Sequence, residues 1–332
     1  MTYAARRPLL LPLVPLYQLG LVLHELGLRS GIEPIRRLNW PVISIGNLST
    51  GGSGKTPLTI ALAKALTTRG VRVDVLSRGY GRRGLAPARV HPHGDAATFG
   101  DEPLLIARET GVAVYVAPER YQAGLLAESE QPAASSSALH LLDDGFQHRQ
   151  LHRDIDIVLL SRADLADRLL PAGNLREALY AAQRADIIAI PQEEPELEAQ
   201  ITARGWQAEI WRLHRHMDVP PVSGPVGAFC GIARPEKFFE GLERAGAKLA
   251  ARFAFRDHHF YTQGDLDRMA SEARKAGATA LLTTEKDRAR LGSLAASMSA
   301  TFPVQIVTLR IEIEDENTAI NWLIGALTKL TE

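Results

Sequence analysis

Pro41-Val-Ile-Ser-Ile-Gly46-Asn-Leu-Ser-Thr-Gly51-Gly-Ser-Gly54-Lys55-Thr56-Pro57 is the stretch on which the fold turns. Val42 to Ile45 is a short β-rich run. From Pro57 to Thr68, Leu58, Ala61, Leu62, Ala65 and Leu66 recur on one side of a helix. Strand, glycine-rich loop and helix follow in order, and that context distinguishes a phosphate loop from a merely flexible one. Gly51, Gly52 and Gly54 let backbone N–H groups curl around phosphate oxygens, and the helix N-terminus adds partial positive charge. The expected nucleotide-binding run is Ser49, Thr50, Gly51, Gly52, Ser53, Gly54, Lys55 and Thr56. Lys55 would reach the β- and γ-phosphates and the Thr56 hydroxyl would bind Mg²⁺. Pro57 falls in the first helical turn, where its missing N–H costs nothing. Ser49 departs from the commonest pattern, which has Gly there.

Outward from this loop, strand-like runs recur at Val71–Leu76, Val112–Ala117, Leu139–Leu142, Ile155–Leu160 and Ile187–Pro191. Helical patterns at 57–69, 101–110, 119–128 and 174–184 alternate with them, and Ala133–Ser137 reads as a loop. This alternation predicts an α/β fold of the P-loop NTPase type, with a mainly parallel sheet flanked by helices. Val219-Pro-Pro-Val-Ser-Gly-Pro225 is a plausible boundary. Beyond it, strands at Val226–Gly231, Ala280–Thr284 and Val304–Leu309 and helices at 235–246, 264–276 and 316–330 predict a second, smaller α/β unit. The expected organisation is an N-terminal helical segment over 1–38, a kinase-like domain over 39–222 and the smaller unit over 223–332.

The carboxylates narrow the chemistry. Ala138-Leu-His-Leu-Leu142 runs into Asp143-Asp144-Gly145, as a buried parallel strand delivers acids at its C-terminal edge. One Asp can serve Mg²⁺ while the other acts nearby. Asp-Gly also makes ordinary turns, so the phosphate loop upstream is what favours the metal reading. Gly100-Asp101-Glu102-Pro103 opens a helical pattern, where acids can simply complement the helix dipole. Asp257-His258-His259 could hold an oriented base or form a surface turn. Ser77-Arg78-Gly79-Tyr80-Gly81-Arg82-Arg83 is a basic loop suited to an anionic ligand, or a solvated one.

Composition sets outer bounds. The 332 residues are 45% hydrophobic and 23% charged, which excludes disorder. Lys plus Arg and Asp plus Glu are both 38, so the net charge is zero and a broad grip on nucleic acid is not expected. Cys230 is the single cysteine, which excludes an internal disulfide. Pro8 to Leu28 is strongly apolar, with Leu16, Leu19, Leu23 and Leu26 at helical spacing and Arg6, Arg7, Arg29, Arg36 and Arg37 flanking it. Pro12, Pro15, His24 and Glu25 make it a poor span. A helix lying in an anionic membrane surface is expected; a signal peptide and a helix packed on its own core are the competing readings.

Together these motifs resemble the tetraacyldisaccharide 4′-kinase (lipid A 4′-kinase) family of Gram-negative bacteria. The resemblance runs the length of the chain. It is carried by Ile45-Gly-Asn-Leu-Ser49 with GGSGKTP, Leu76–Gly81, Gly100–Pro103, Asp143-Asp-Gly-Phe-Gln-His-Arg149 and Leu169-Leu-Pro-Ala-Gly-Asn-Leu-Arg-Glu177. Phe229–Pro235, Phe255-Arg-Asp-His258 and Thr283-Thr-Glu-Lys-Asp287 complete it. Ser49 is not a departure within that family. The resemblance implies ATP-dependent phosphorylation of the 4′-hydroxyl of an acylated glucosamine disaccharide 1-phosphate, with Mg²⁺, at the cytoplasmic face of the bacterial inner membrane. It implies that Asp101 and His258 form a catalytic pair and that Asp144 is a catalytic carboxylate. It further implies that Thr56, Asp143 and Glu102 serve the metal. Ser77, Arg78, Tyr80, Gln147, His148, Arg176 and Glu177 would line the substrate side. His258 belongs to the smaller unit and Lys55, Asp101 and Asp143 to the larger, so the site is expected in the cleft and closure is expected to complete it. The alternative is a membrane-associated P-loop ATPase or GTPase switch that transfers nothing to a lipid; a kinase for a small soluble metabolite would not need the apolar N-terminus.

Overall fold

A computed structural model describes residues 7–130 and 138–331; Arg6 and the expected loop at Ala133–Ser137 lie outside the described residues. Among the described residues, twelve strands form one sheet. They are β1 (Val42–Asn47), β2 (Arg72–Ser77), β3 (Ala88–Arg89), β4 (Ala113–Val116), β5 (Ala138–Asp143), β6 (Ile155–Leu159), β7 (Ile187–Pro191), β8 (Glu209–Asp218), β9 (Val226–Cys230), β10 (Leu249–Ala254), β11 (Ala280–Thr284) and β12 (Val304–Ile313). Their spatial order is β10-β9-β11-β12-β8-β7-β6-β1-β5-β2-β4-β3. All neighbours are parallel except β12 with β8 and β3 with β4. β1, β6 and β7 are fully buried, as strands covered by helices on both faces should be, and their sequences are correspondingly rich in Ile, Val and Leu.

β1 and β5 are adjacent and parallel, with Ile45 opposite Asp143. This register brings the phosphate loop and the two aspartates to the same sheet edge, where open α/β sheets bind ligands. The approach is close: a Cβ on Gly46 would lie 2.5 Å from the Phe146 Cβ. On one face, Leu58, Leu62 and Leu66 of the helix Lys55–Thr68 join Leu104 and Ile106 in a core that also takes Ile320 and Leu323 from the C-terminal helix Glu316–Thr331. The opposite face carries Leu48, Phe146, Val158 and Ile188.

β8 and β12 each span ten residues. The first half of β8 pairs with β7 and its second half with β12. Likewise β12 pairs with β11 before it pairs with β8. These two strands join β9, β10 and β11 to the strands around β1 in one continuous sheet. β8 was not expected from the sequence, because Arg212, His214, Arg215 and His216 interrupt its apolar pattern.

The helix expected over 174–184 is corrected. Only Leu179–Arg184 is helical, as a 3-10 turn. Before it the chain is extended, because its backbone bonds go to the phosphate loop: Thr50 N–H donates to Asn174 O (2.8 Å) and Arg176 N–H to Leu48 O (2.7 Å).

The N-terminal segment is a 3-10 turn (Pro8–Leu13) followed by the helix Val14–Arg29. Tyr17 and Leu21 pack on the domain, and Tyr17 Oη donates to Arg176 O at 2.8 Å. Glu25 pairs with Arg149. Leu16, Leu19, Leu23 and Leu26 are all more than half exposed, so the leucine stripe does not cover the protein's own core. By length and composition, Pro8–Arg29 suffices to cross a membrane.

Candidate active site

β1 ends in Asn47, which is fully buried and organises the loop after it. Its Nδ2 donates to Ser49 O (2.8 Å) and to Ser49 Oγ (3.2 Å). Its Oδ1 accepts from Lys55 Nζ (2.9 Å) and from Arg176 Nη2 (2.6 Å). The loop then turns through Gly54 at φ +100°, and a Cβ there would meet Ile311 Cδ1 at 3.0 Å. Glycine is needed here for both conformation and space. From β8, Arg215 Nη2 donates to Ser53 O at 2.5 Å. Thr56 is buried in the first helical turn.

Asp143 and Asp144 end β5 with different fates. Asp143 is buried and accepts from Thr59 Oγ1 at 3.1 Å. Burial, followed by the neighbouring charges of Glu102 and Asp144, pushes its carboxyl up to about 7. Asp144 adopts φ +51° and receives the Arg176 guanidinium as a fork, at 2.9 and 3.2 Å, with Lys55 Nζ 3.5 Å away. Burial opposes its ionisation, but Lys55 and Arg176 outweigh it and hold the carboxyl well below the usual range.

Asp101 opens the helix Asp101–Thr110 and is only 4% exposed. His258, at φ +58°, brings Nδ1 to 3.4 Å from Asp101 Oδ2. Tyr80 covers the imidazole, ring centroids 4.7 Å apart. The hydrogen bond to Asp101 raises the His258 pKa against the opposing effect of burial. Burial would raise Asp101 itself, but His258 and Arg290 hold it far below the ordinary carboxylate range. Arg290 Nε donates to Asp101 Oδ2 at 2.7 Å, and Lys286 binds Glu102. Both cations come from the helix Glu285–Leu291, one turn apart.

The other expected residues fall into two groups. Gln147 Nε2 donates to Asn47 O (3.0 Å) and to Glu177 Oε1 (3.1 Å), and Glu177 is held by Arg184. Arg176, expected on the substrate side, instead grips Asp144 and Asn47 beneath the phosphate loop. Ser77 is buried at the end of β2, whereas Arg78 and Tyr80 are exposed. Burial and then the charges of Arg120, Arg153 and Arg78 depress His148 to about 3, so it is a neutral imidazole beside a basic cluster. Sequence reasoning assigned no role to Asn47, Arg120, Arg215, Lys286 or Arg290. Asn47 and Lys286 lie inside the motifs that carry the family resemblance, and that was the available signal.

These residues fit a triphosphate and a divalent cation. The glycine loop offers its cradle, Ser53 Oγ and Arg215 Nε are buried without hydrogen-bond partners among the described residues, and Asp143 sits among like charges that a cation would neutralise. Among the described residues no three His, Cys, Asp or Glu side chains form a metal cage. Mg²⁺ in such sites needs only one or two carboxylates plus the phosphates.

The family described as tetraacyldisaccharide-1-P 4′-kinase matches residues 6–328. The chain is 38% identical to a tetraacyldisaccharide 4′-kinase of Koribacter versatilis, over 96% of this chain and 98% of that one. It is 36% identical to that of Geobacter metallireducens, over 92% and 94%. Its fold is similar to a crystal structure of LpxK from Aquifex aeolicus in complex with ATP, with a TM-score of 0.74, 32% identity, and coverage of 97% of this chain and 99% of that one.

Proposed function

The chain belongs to the tetraacyldisaccharide-1-P 4′-kinase family, and on that premise we propose how its own side chains carry the reaction. The activity is ATP-dependent phosphorylation of the 4′-hydroxyl of a tetraacyldisaccharide 1-phosphate, a step of lipid A biosynthesis. Loop amides from Ser49 to Thr56 and the Lys55 ammonium receive the phosphates of ATP. Thr56 and Asp143, with Glu102 nearby, would hold Mg²⁺, which supplies neutralisation of charge on the transferring phosphoryl group.

Asp101 accepts a hydrogen bond from Nδ1–H of His258, which leaves Nε2 free to take the proton of the sugar hydroxyl. The hydroxyl oxygen forms the new bond to the γ-phosphorus, the bond to the β–γ bridging oxygen breaks, and ADP departs. Asp144, fixed by Arg176 and Lys55, keeps the ammonium in place between loop and acids. Ser77, Arg78, Tyr80, Gln147, His148 and Glu177 border the side from which the disaccharide approaches, while Arg176 serves behind them by holding Asp144. The leucine stripe of the N-terminal helix rests in the cytoplasmic surface of the inner membrane, where the acyl chains of the substrate are buried.

The observation that best supports this assignment is the 3.4 Å contact between Asp101 and His258, which lie far apart in the sequence. A catalytic dyad has no purpose in a simple nucleotide switch. The test is incubation with ATP and a lipid disaccharide monophosphate, followed by mass spectrometry. One added phosphoryl group is expected; ATP turnover without a phosphorylated lipid would refute the reading.

A further inference from the structure

Nδ1 of His258 has two neighbours whose demands are incompatible. Asp101 Oδ2 lies 3.4 Å away and, as an acceptor, requires a hydrogen on Nδ1. Arg290 Nη2 lies 3.3 Å away and can only donate, so it requires a lone pair there. In the neutral ring the first arrangement leaves Nε2 bare and able to take a proton. The second places the hydrogen on Nε2 and removes that ability.

Arg290 is fixed firmly enough to impose its side of this competition. Its side chain is only 2% exposed. Nε and Nη2 both donate to Asp101 Oδ2, and Nη1 donates to Gly231 O and, at 3.1 Å, to Asp287 Oδ1. Asp287 is anchored in turn by Gly231 N–H and Tyr261 Oη, each at 2.9 Å. The remaining groups facing the imidazole are the Tyr80 ring and Asp257, whose Oδ2 is 3.9 Å from Nε2. Lys286 acts only at one remove, on Asp101.

We propose that Arg290 is a positioning residue that sets which nitrogen of His258 carries the hydrogen, and hence what fraction of the enzyme is ready to deprotonate the sugar hydroxyl. The proposal rests on the catalytic roles proposed for Asp101 and His258. By sharing Oδ2, Arg290 weakens the pull of Asp101 on the Nδ1 hydrogen; by donating to Nδ1 it favours the unready tautomer. Its positive charge also disfavours the imidazolium.

The experiment uses the full chain, with ¹⁵N-labelled histidine for NMR of the resting enzyme, and kcat followed against pH. The variants are Arg290→Lys, which keeps the charge but loses the fork, and Arg290→Met, which loses both. We expect the His258 resonances to move toward the Nδ1–H form in both. The kcat inflection should rise by roughly one pH unit in Arg290→Met and by less in Arg290→Lys, with KM for ATP unchanged. A fall in kcat with tautomer and inflection both at parental values would mean that Arg290 is only structural, and would overturn the proposal. Should Arg290→Met not fold, Arg290→Lys alone decides between these outcomes. Failure of the parent enzyme to phosphorylate the lipid would count against the functional reading; the NMR result would still judge the tautomer claim.

Discussion

Asn47 is a neutral side chain that places two cations. Its carbonyl oxygen receives Lys55 and Arg176, and both then face Asp144. Removing the ammonium by Lys55→Ala should lower kcat on the order of 10²–10³-fold, as loss of one preorganised transition-state donor does, while circular dichroism stays at the parental spectrum. The His258–Asp101 pair makes a pH prediction. As the proposed base, His258 must be neutral, and its pKa is raised above the ordinary 6.5, so kcat should rise with pH through an inflection above that value. Asp101→Asn removes the carboxylate that raises it, so the inflection should move down and kcat should fall at every pH. The linked stability has the opposite slope. The pair stabilises the fold fully below 6.5, and this contribution disappears as pH rises through the elevated value, which a series of thermal melts would register. Lys55 stood out in the sequence through its local glycine motif, whereas Asp101 and His258 each had an ordinary local reading, a helix-dipole acid and a surface turn, and their pairing was expected only from the family resemblance. Arg290 was not, since its meaning comes from Asp101, 189 positions away, and no spacing rule reaches that far.

At the scale of elements, the phosphate loop, its strand and its helix were readable to within two residues, because period and glycine pattern agree there. The segment after Gly173 was misread as helix. Its composition favours helix, but its backbone groups are committed to Thr50 and Leu48, and tertiary pairing outweighs propensity. The meeting of β1 with the Asp143 turn leaves no room for a methyl group at residue 46. Gly46→Ala would force its Cβ against Phe146 and should cost about 1–3 kcal/mol, measurable as a lowered denaturation midpoint. The exposed leucine face predicts a separation of functions. The double substitution Leu19→Glu, Leu23→Glu leaves the contacts of Tyr17 and Glu25 in place. It should abolish co-sedimentation with anionic vesicles without altering the melting temperature. Unchanged sedimentation would show that this face does not meet lipid.

The whole molecule hangs on β8 and β12. Each divides its length between two neighbours, so the strands on either side cannot part without breaking the ladder at Leu213–Asp218 with Thr308–Ile313. We propose that motion takes the form of bending of this ribbon, which would bring His258 and the phosphate loop together or apart. Small-angle scattering with and without a non-hydrolysable ATP analogue should show a smaller radius of gyration when the analogue binds; superimposable curves would argue against closure. The antiparallel join was hidden in the sequence because β8 alternates basic side chains with buried Trp211 and Leu213, and its partner lies far along the chain.

Tyr17 and Glu25 bolt the leucine-faced helix to the chain at Arg176 and Arg149, and Arg176 is itself bonded to the start of the phosphate loop. In the proposed membrane-bound arrangement, this attachment would set the altitude of the phosphate loop above the acyl chains. A catalyst so mounted would gauge its acceptor by depth: a sugar carried at the wrong height would be out of range, however well its hydroxyl otherwise suited the chemistry.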